Sequence, residues 1–408
     1  MNRVPLVHVL GAGPWQIPTI RRAKAMGCRV LATDGLSHRP GFELADEYEI
    51  ADIRSPDETL AAARRHGVDA IVCDTTDTGV KTAATVAEAL GLVGIGKAAA
   101  VNCTDKSRMT DCAKRAGLHV PCQRLLSDEA SIDDAVAALQ PPWIVKPVDC
   151  QSGQGVSVVR DRAQLSVAYQ YALGRSQKKH VLIQQFIRGV EIIVDSIVIH
   201  GRAHCLGIAV KTPYLDNPTV SERITYGCLD LPMSEQAIKE CNDKLIKSLA
   251  VESGLVHAEY IISEGVMTPI DVAARGGGVC IYQRVLPHVS GVDTVGTLIE
   301  LALNRRPEVQ VLPEFRGGNI EFIRVPPGRI ESIFGVEEAQ SAPSVDCVHL
   351  FHDVGDWVGS LRQKEDRLGF VVCLANRARD AIVASMSAAA LIRAKTTTVQ
   401  RRESSEIL

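Results

Sequence analysis

The sequence predicts an N-terminal α/β domain built on a doubly wound parallel sheet, followed by α+β domains and a small C-terminal α+β subdomain. Three observations lead there. Residues 1–100 alternate short apolar runs with helical stretches, the pattern of parallel strands joined by crossover helices. Near residue 120 the pattern changes to apolar runs joined by polar or glycine-rich turns, which is hairpin chemistry. Residues 311–395 carry short strands and turns and then a closing helix.

Taken in order, "LVHVLGAG" reads as a buried strand and turn, Ile17–Met26 as a helix and "CRVLATD" as a second strand. Thr59–His66 is helical, "DAIVCD" a strand and Val80–Leu90 a helix. Residues 106–120 form the next helix, with Gly117 at its C-cap position. "PPWIVKPV" is a strand, and "DCQSGQGVSVV" is a glycine-rich turn feeding its hairpin partner. "HVLIQQFIRGVEIIVDSIVIHG" holds two β runs about the Arg188-Gly189 turn. Residues 211–232 show little periodicity and read as a long loop, a kind of segment that commonly carries function. A helix over 234–253 precedes "GLVHAEYIISEGVMTPIDVAARGGG", residues 254–278. There two apolar runs, Leu255–Ile262 and Met267–Ala273, flank a Ser-Glu-Gly turn and predict a β-hairpin. Helices near 291–304 and from Ala378 to Ala394 follow, then a polar tail that reads as frayed. The expected divisions are 1–105, 106–190, 191–310, 311–395 and a flexible 396–408.

Composition narrows the function classes. The 408 residues are 46% apolar and 23% charged, which suits a well-buried core. A net charge of −3 gives no electrostatic case for nucleic acid or for an anionic membrane surface. No uncharged apolar run has the length of a membrane-spanning helix, and the first residues lack a signal-peptide pattern. Twelve cysteines are scattered with no CxxC pair, which implies reduced thiols and a cytoplasmic protein.

The chemistry-bearing residues fall into a few groups. Gly11, Gly13 and Asp34 resemble part of a dinucleotide fingerprint, but Gln16 stands where the third glycine belongs, and an ordinary βα turn explains them as well. "GLVGIGKA" lacks the hydroxyl of a phosphate-binding loop at Ala98 and sits in the wrong context, so it reads as a linker. "KPVDCQSGQGVSVV" is stronger. Lys146 on a strand beneath a turn shaped by Ser152, Gly153 and Gly155 places a point charge under backbone N–H groups suited to phosphates. Further on, Glu191 sits among apolar neighbours, where it could accept from ribose hydroxyls, with the backbone of Gln185, Phe186 and Ile187 facing an adenine edge. Glu259 and Asp271 then face each other across a hairpin. Opposed carboxylates repel unless cations lie between them, and Mg²⁺ favours a few carboxylates plus nucleotide phosphates. A salt-bridged edge involving Arg275 is the plain structural alternative.

In order and spacing, Lys106, Lys146, the glycine turn, Gln184-Gln185-Phe186-Ile187, Glu191, Glu259, Asp271 and Arg275 resemble the ATP-grasp superfamily over nearly the whole chain. The resemblance implies α+β ATP-grasp domains, with Lys106 and Lys146 on nucleotide phosphates and the 150–156 turn covering them. It implies residues 184–187 at adenine, Glu191 at ribose, Glu259 and Asp271 holding two Mg²⁺ ions (Mn²⁺ as the alternative), and Arg275 beside the transferring phosphoryl group. "DVAARGGG" is more similar to bacterial L-amino acid ligases of the bacilysin dipeptide-synthase type, as is "FGVEEAQ…HDVGDWVG…DRLGFVV". Two positions depart from the common pattern: Ala273 stands where many relatives have a metal-binding Asn, and Gln184 where many have Glu.

The implied activity is ATP-dependent joining of a carboxylate to an amine through an acyl phosphate, linking an amino acid to another amine and releasing ADP and phosphate. Arg223, Tyr226, His257, Gly276 and Gly277 are the expected substrate-side residues, the first two from the 211–232 loop. The partners would be small molecules, and a homodimer is admitted by family analogy alone. Two alternatives stand beside this: an NAD-binding oxidoreductase using the N-terminal glycine turn, and an ATP-grasp protein that binds ATP without ligating.

Overall fold

Runs rich in Val, Ile and Leu become the buried strands, and the glycines between them mark where the chain reverses. The computed structural model describes residues 3–151, 153–227, 230–361 and 364–397. These fall into two compact units, Met1–Val210 with Gly227–Phe315, and Lys211–Tyr226 with Arg316–Leu408.

The first unit opens with the parallel sheet expected from sequence. Strand β1 (Leu6–Leu10) is wholly buried and lies between β2 (Arg29–Asp34) and β4 (Ala70–Val72), with β3 (Glu47–Ile50) beyond β2. The intervening helices are Ile17–Ala25, Pro56–His66 and Val80–Leu90, the last two ending at left-handed Gly67 and Gly91. The stretch expected as a linker, residues 91–98, is turn and coil until a short helix, Lys97–Cys103, begins at its end. The helix expected over 106–120 runs only from Lys106 to Arg115. Its N-cap Asp105 accepts from the N–H groups of Ser107 and Arg108 at 3.0 and 3.1 Å, which fixes Lys106 in the first turn.

An antiparallel sheet follows in the order β5-β8-β6-β7, from β5 (Gln123–Leu126), β6 (Trp143–Pro147), β7 (Ser157–Val159) and β8 (Val181–Gln185). Here β6 and β7 form the expected hairpin about the glycine turn. The two runs flanking Arg188-Gly189 part company: β8 pairs with β5 and β6, whereas β9 (Val190–Ile199) pairs with β12 (Gly254–Ser263). Strand β10 (Arg202–Tyr214) neighbours β9 and leaves this unit after Val210.

The hairpin of β12 and β13 (Val266–Ala273) forms as the sequence predicts. Its two-residue turn has positive φ at both Glu264 (50°) and Gly265 (77°), the twist-compatible way to reverse a tight hairpin. Along β12 burial alternates. Val256, Ala258, Tyr260 and Ile262 point into a core with Ile192 and Val194, while His257, Glu259 and Ile261 stand half-buried on the other face.

In the second unit, residues 211–232 depart from the expected loop. Most of that segment is strand, the end of β10 and β11 (Asn217–Tyr226), with Cys228 and Leu229 outside the described residues. The segment looked aperiodic because β11 sits inside a sheet. It pairs with β14 (Gly317–Ile323), which pairs with β18 (Gly369–Ala375), then β16 (Val345–Leu350). Its polar residues find partners inside the sheet: an Arg223 Nη pairs with Glu321 at 3.2 Å, although the buried Arg223 Nε has no hydrogen-bond partner among the described residues, and the Thr225 hydroxyl meets Asn319 at 2.5 Å. A second small sheet places β15 (Gly328–Phe334) between β17 (Trp357–Val358) and β19 (Arg393–Thr397). The closing helix ends at Leu391, and β19 extends into the tail that sequence reads as frayed; residues 398–408 lie outside the described set.

The turn into β9 leaves no room at Gly189, where an added Cβ would stand 2.3 Å from the Ile262 carbonyl oxygen. Gly189→Ala is therefore expected to lower stability by about 1–3 kcal/mol. Gly174→Ala, in the helix Leu165–Arg175 with open space around its Cβ, should instead raise it by roughly 0.5–1 kcal/mol. Urea denaturation of the two variants checks both signs.

Candidate active site

The site is built on the half-buried face of β9, β12 and β13. Strand register sets three rows there: Asp195 opposite His257 opposite Ala273, Ile193 opposite Glu259 opposite Asp271, and Glu191 opposite Ile261. Glu191, Asp195, Glu259 and Asp271 thus bring four carboxyl groups to neighbouring positions. Like charges directly opposed on a sheet are destabilising unless cations reach them.

The cations come from elsewhere in the unit. Lys106, held at the start of its helix, places its ammonium 2.9 Å from Asp271 Oδ1 and donates to the Cys150 carbonyl at 2.8 Å. Burial pulls its pKa down, but Asp271, Asp77 and Glu259 outweigh that and leave it raised. Lys146 is 6% exposed near the end of β6. Burial, then the charge of Lys106, lowers its pKa to about 8 against the pull of Asp271, Glu259 and Glu191. Its ammonium donates to the Ile270 carbonyl at 3.2 Å. Ile270 is the extra residue where the β12–β13 register shifts: Glu259 faces Asp271 and Tyr260 faces Pro269. A bulge frees a backbone carbonyl from the ladder, and here the lysine takes it.

Arg275, just beyond β13, does not bridge Glu259 and Asp271. Its guanidinium grips both oxygens of Asp77 at 2.8 and 3.1 Å and donates to the Gly276 carbonyl at 2.7 Å. Burial opposes its charge, but Asp77 holds the pKa above the usual arginine range. Asp77 was not singled out from sequence; it sits in a short 3₁₀ turn after β4, nearly two hundred residues away along the chain, and only its "DTTD" acid cluster hints at it. Asp195 was missed as well. Its carboxylate lies 2.7 Å from His257 Nδ1, and with Glu259 it outweighs burial and raises the histidine pKa to about 9.

A buried network backs the segment after Arg275. Asp74, at 0% exposure, accepts from Thr19, Tyr282, Thr75 and Gln16, while burial pushes its carboxyl up. The Gly276 N–H donates to the Asp74 carbonyl at 2.8 Å. Gly276 and Gly277 are small for packing reasons: a Cβ would lie 2.5 Å from Tyr282 Cγ at the first and 2.8 Å from His257 Nδ1 at the second.

The other expected residues divide. Gly153 and Gly155 both adopt positive φ, and a Cβ on Gly155 would press on Pro147 at 3.0 Å; Ser152 lies outside the described residues. Gln184 is buried and bonded to Gln123 across β5 and β8. The N–H groups of Gln185 and Phe186 are taken by the carbonyls of Cys122 and Pro142, both at 2.9 Å, so those two donors are engaged within the protein. Arg223 and Tyr226 belong to the second unit, on β11 rather than on a loop, and Tyr226 is fully buried in its strand. The N-terminal glycine turn is closed on itself: Asp34 accepts from the Ala12 N–H at 3.1 Å and pairs with Arg39 at 3.2 Å, while Gln16 packs on Gly11. That is the ordinary βα turn. Among the described residues no group of three or more His, Cys, Asp or Glu side chains forms a metal cluster, and no helix is long and apolar enough to cross a membrane.

The sequence matches the family described as "ATP-grasp domain" over residues 139–283. The chain carries an ATP-grasp domain. That domain spans Lys146, the glycine turn, Glu191, Glu259, Asp271 and Arg275; Lys106 and Asp77 lie before it. Residues 321–397 match "L-amino acid ligase C-terminal domain 2" and lie in the second unit. Formate-dependent phosphoribosylglycinamide formyltransferase of Synechococcus sp. (strain CC9902) is 29% identical over 185 residues, 44% of this chain and 47% of that protein. The chain thus matches about half the length of such curated relatives. The L-amino acid ligase from Bacillus licheniformis superposes with a TM-score of 0.82 at 20% identity, covering 97% of this chain and all of that one (100%). N5-carboxyaminoimidazole synthetase from Staphylococcus aureus complexed with ADP gives 0.74 at 14% identity, covering 95% and 98%. At these identities the structural likeness is one of fold.

Lys146 makes the ATP-grasp site testable through pH. Its folded pKa, about 8, lies below the unfolded value of about 10.4. Between those values the unfolded chain binds the extra proton, so this group makes stability rise with pH there. Lys146→Met should be more stable than wild type at pH 7, and the difference should shrink as pH climbs from about 8 to about 10.4. Parallel denaturant titrations across that range provide the measurement.

Proposed function

We propose that the chain is an ATP-dependent carboxylate–amine ligase that forms an amide bond through an acyl phosphate, with an amino acid as one substrate, and releases ADP and phosphate. The observation that carries this is the Glu259–Asp271 pair, facing across two strands with Lys106 on Asp271 and Lys146 at the bulge beside it. Half-buried oxygen donors flanked by fixed ammonium groups suit a nucleotide's phosphates with divalent cations.

The donor set fits Mg²⁺: two hard carboxylate ligands set opposite each other, with room in the coordination for phosphate oxygens and water. In this reading Glu259 and Asp271 hold the ions, which when bound supply charge neutralisation on the phosphates. Lys106 and Lys146 add positive charge at the same phosphates. The positive-φ turn at Gly153 and Gly155 covers them with backbone N–H groups and keeps water from the activated acyl group. Glu191 accepts from ribose. With the N–H groups of Gln185 and Phe186 engaged, the carbonyls of this stretch remain to read an adenine edge. Arg275 has five N–H donors, three of them engaged, so its other two can meet an oxyanion while Asp77 fixes the plane of the guanidinium. Attack of a carboxylate on the γ-phosphorus then gives the acyl phosphate, and attack of an amine displaces phosphate. Positioning and charge do the catalysis, and no side-chain nucleophile is required.

The likeness of residues 321–397 to an L-amino acid ligase domain favours an amino acid as substrate. The test is a screen of amino acids with ATP, Mg²⁺ and hydroxylamine, which traps an acyl phosphate as a hydroxamate. The wild type is expected to give hydroxamate with matching ADP, and Asp271→Asn to lose both by at least about a hundredfold, the scale of lost transition-state charge stabilisation. Formation of AMP, or an Asp271→Asn enzyme of near-normal turnover, would remove this reading. ATP binding without hydroxamate from any carboxylate would leave a nucleotide-binding protein that does not ligate.

A further inference from the structure

The row above the Glu259–Asp271 pair holds two groups for which the reaction provides no direct part. Asp195, 2% exposed, and His257 are cross-strand partners on the site face. His257 Nδ1 lies 2.7 Å from Asp195 Oδ1, and its Nε2 lies 3.7 Å from Glu259 Oε1. The chain beyond Arg275 passes close to the same nitrogen, since a Cβ added at Gly277 would approach Nδ1 to 2.8 Å. With a buried carboxylate on Nδ1, the imidazole turns its Nε2 toward Glu259.

Glu259 needs such a constraint. It stands opposite Asp271, a like charge, and a glutamate has three side-chain torsions through which to swing away. Asp271 is anchored by Lys106 at 2.9 Å and accepts its neighbour Val272's N–H at 3.0 Å. The imidazole is a group that reaches Glu259 on its side of the pair. We propose that Asp195 and His257 are positioning residues: the Asp195–His257 pair holds the Glu259 carboxylate in the arrangement that receives a divalent cation bound to a nucleotide. The pair itself touches neither nucleotide nor substrate. This rests on the reading of Glu259 as a metal ligand.

The probe is Mn²⁺ with ADP, followed by the electron paramagnetic resonance signal of free Mn²⁺, alongside calorimetry of ADP without metal. In the full chain, Asp195→Asn and His257→Gln are each expected to weaken ADP-dependent Mn²⁺ binding by about 10–100-fold, the usual effect of losing a group that orients a metal ligand. Metal-free ADP affinity should stay within about twofold of wild type, a split that general loosening of the fold would not produce. Glu259→Gln serves as the reference and should abolish the ADP-dependent site. Unchanged Mn²⁺ binding in Asp195→Asn and His257→Gln, with the site lost in Glu259→Gln, overturns the positioning role and leaves the metal ligand standing. Unchanged binding in Glu259→Gln overturns both. Should His257→Gln fail to fold, Asp195→Asn, which preserves the shape of the side chain, decides the matter alone.

Discussion

Two carboxylates placed opposite each other on adjacent strands are the constraint around which this site is organised. Repulsion between Glu259 and Asp271 cannot relax by register slip, because a one-residue shift would turn Val256, Ala258, Tyr260 and Ile262 out of the core. The hydrophobic pattern of β12 therefore holds the acids in place, and positive charge has to be brought to them. Lys106 arrives from a capped helix start, Lys146 from a neighbouring sheet and His257 from the adjoining row. Each is held by a backbone or carboxylate contact of its own, so the cations are as fixed as the acids.

The bulge at Ile270 links backbone geometry to electrostatics. Without the extra residue, Asp271 would not fall opposite Glu259, and the Ile270 carbonyl would belong to the strand ladder rather than to Lys146. Lysine buried with only a carbonyl and distant carboxylates is poorly solvated, which is why its proton is held loosely. An incoming polyanion would supply what the protein leaves incomplete.

Much of this was legible in the sequence for physical reasons. Alternation in "GLVHAEYIIS" fixed which residues of β12 face the core, the glutamate-glycine turn fixed the hairpin, and the acids then had to meet. The parallel N-terminal sheet followed from βα alternation, and Val80–Leu90 is helical over its expected length. What escaped was long-range pairing. Asp77 meets Arg275 and Asp195 meets His257 only after distant strands assemble, and no local period marks either acid. The opposite error occurred at residues 211–232. Their polar side chains hid a strand, because Arg223 and Thr225 find Glu321 and Asn319 within the sheet. Likewise no local pattern shows that the N–H groups of Gln185 and Phe186 bond to the segments bearing Cys122 and Pro142.

The network centred on Asp74 has a consequence for how this chain could be recombined. Its carboxylate accepts from Thr19 and Tyr282, its backbone carbonyl holds the Gly276 N–H, and three residues further on Asp77 grips Arg275. The N-terminal sheet and the segment from Arg275 to Tyr282 therefore share buried polar partners that neither can replace alone. Grafting another N-terminal domain onto the ATP-grasp domain of this chain would strand a buried acid or a buried guanidinium unless both sides of these contacts travelled together. In this protein the first hundred residues supply a wall of the candidate site through Asp74 and Asp77, and the two regions form one module for design.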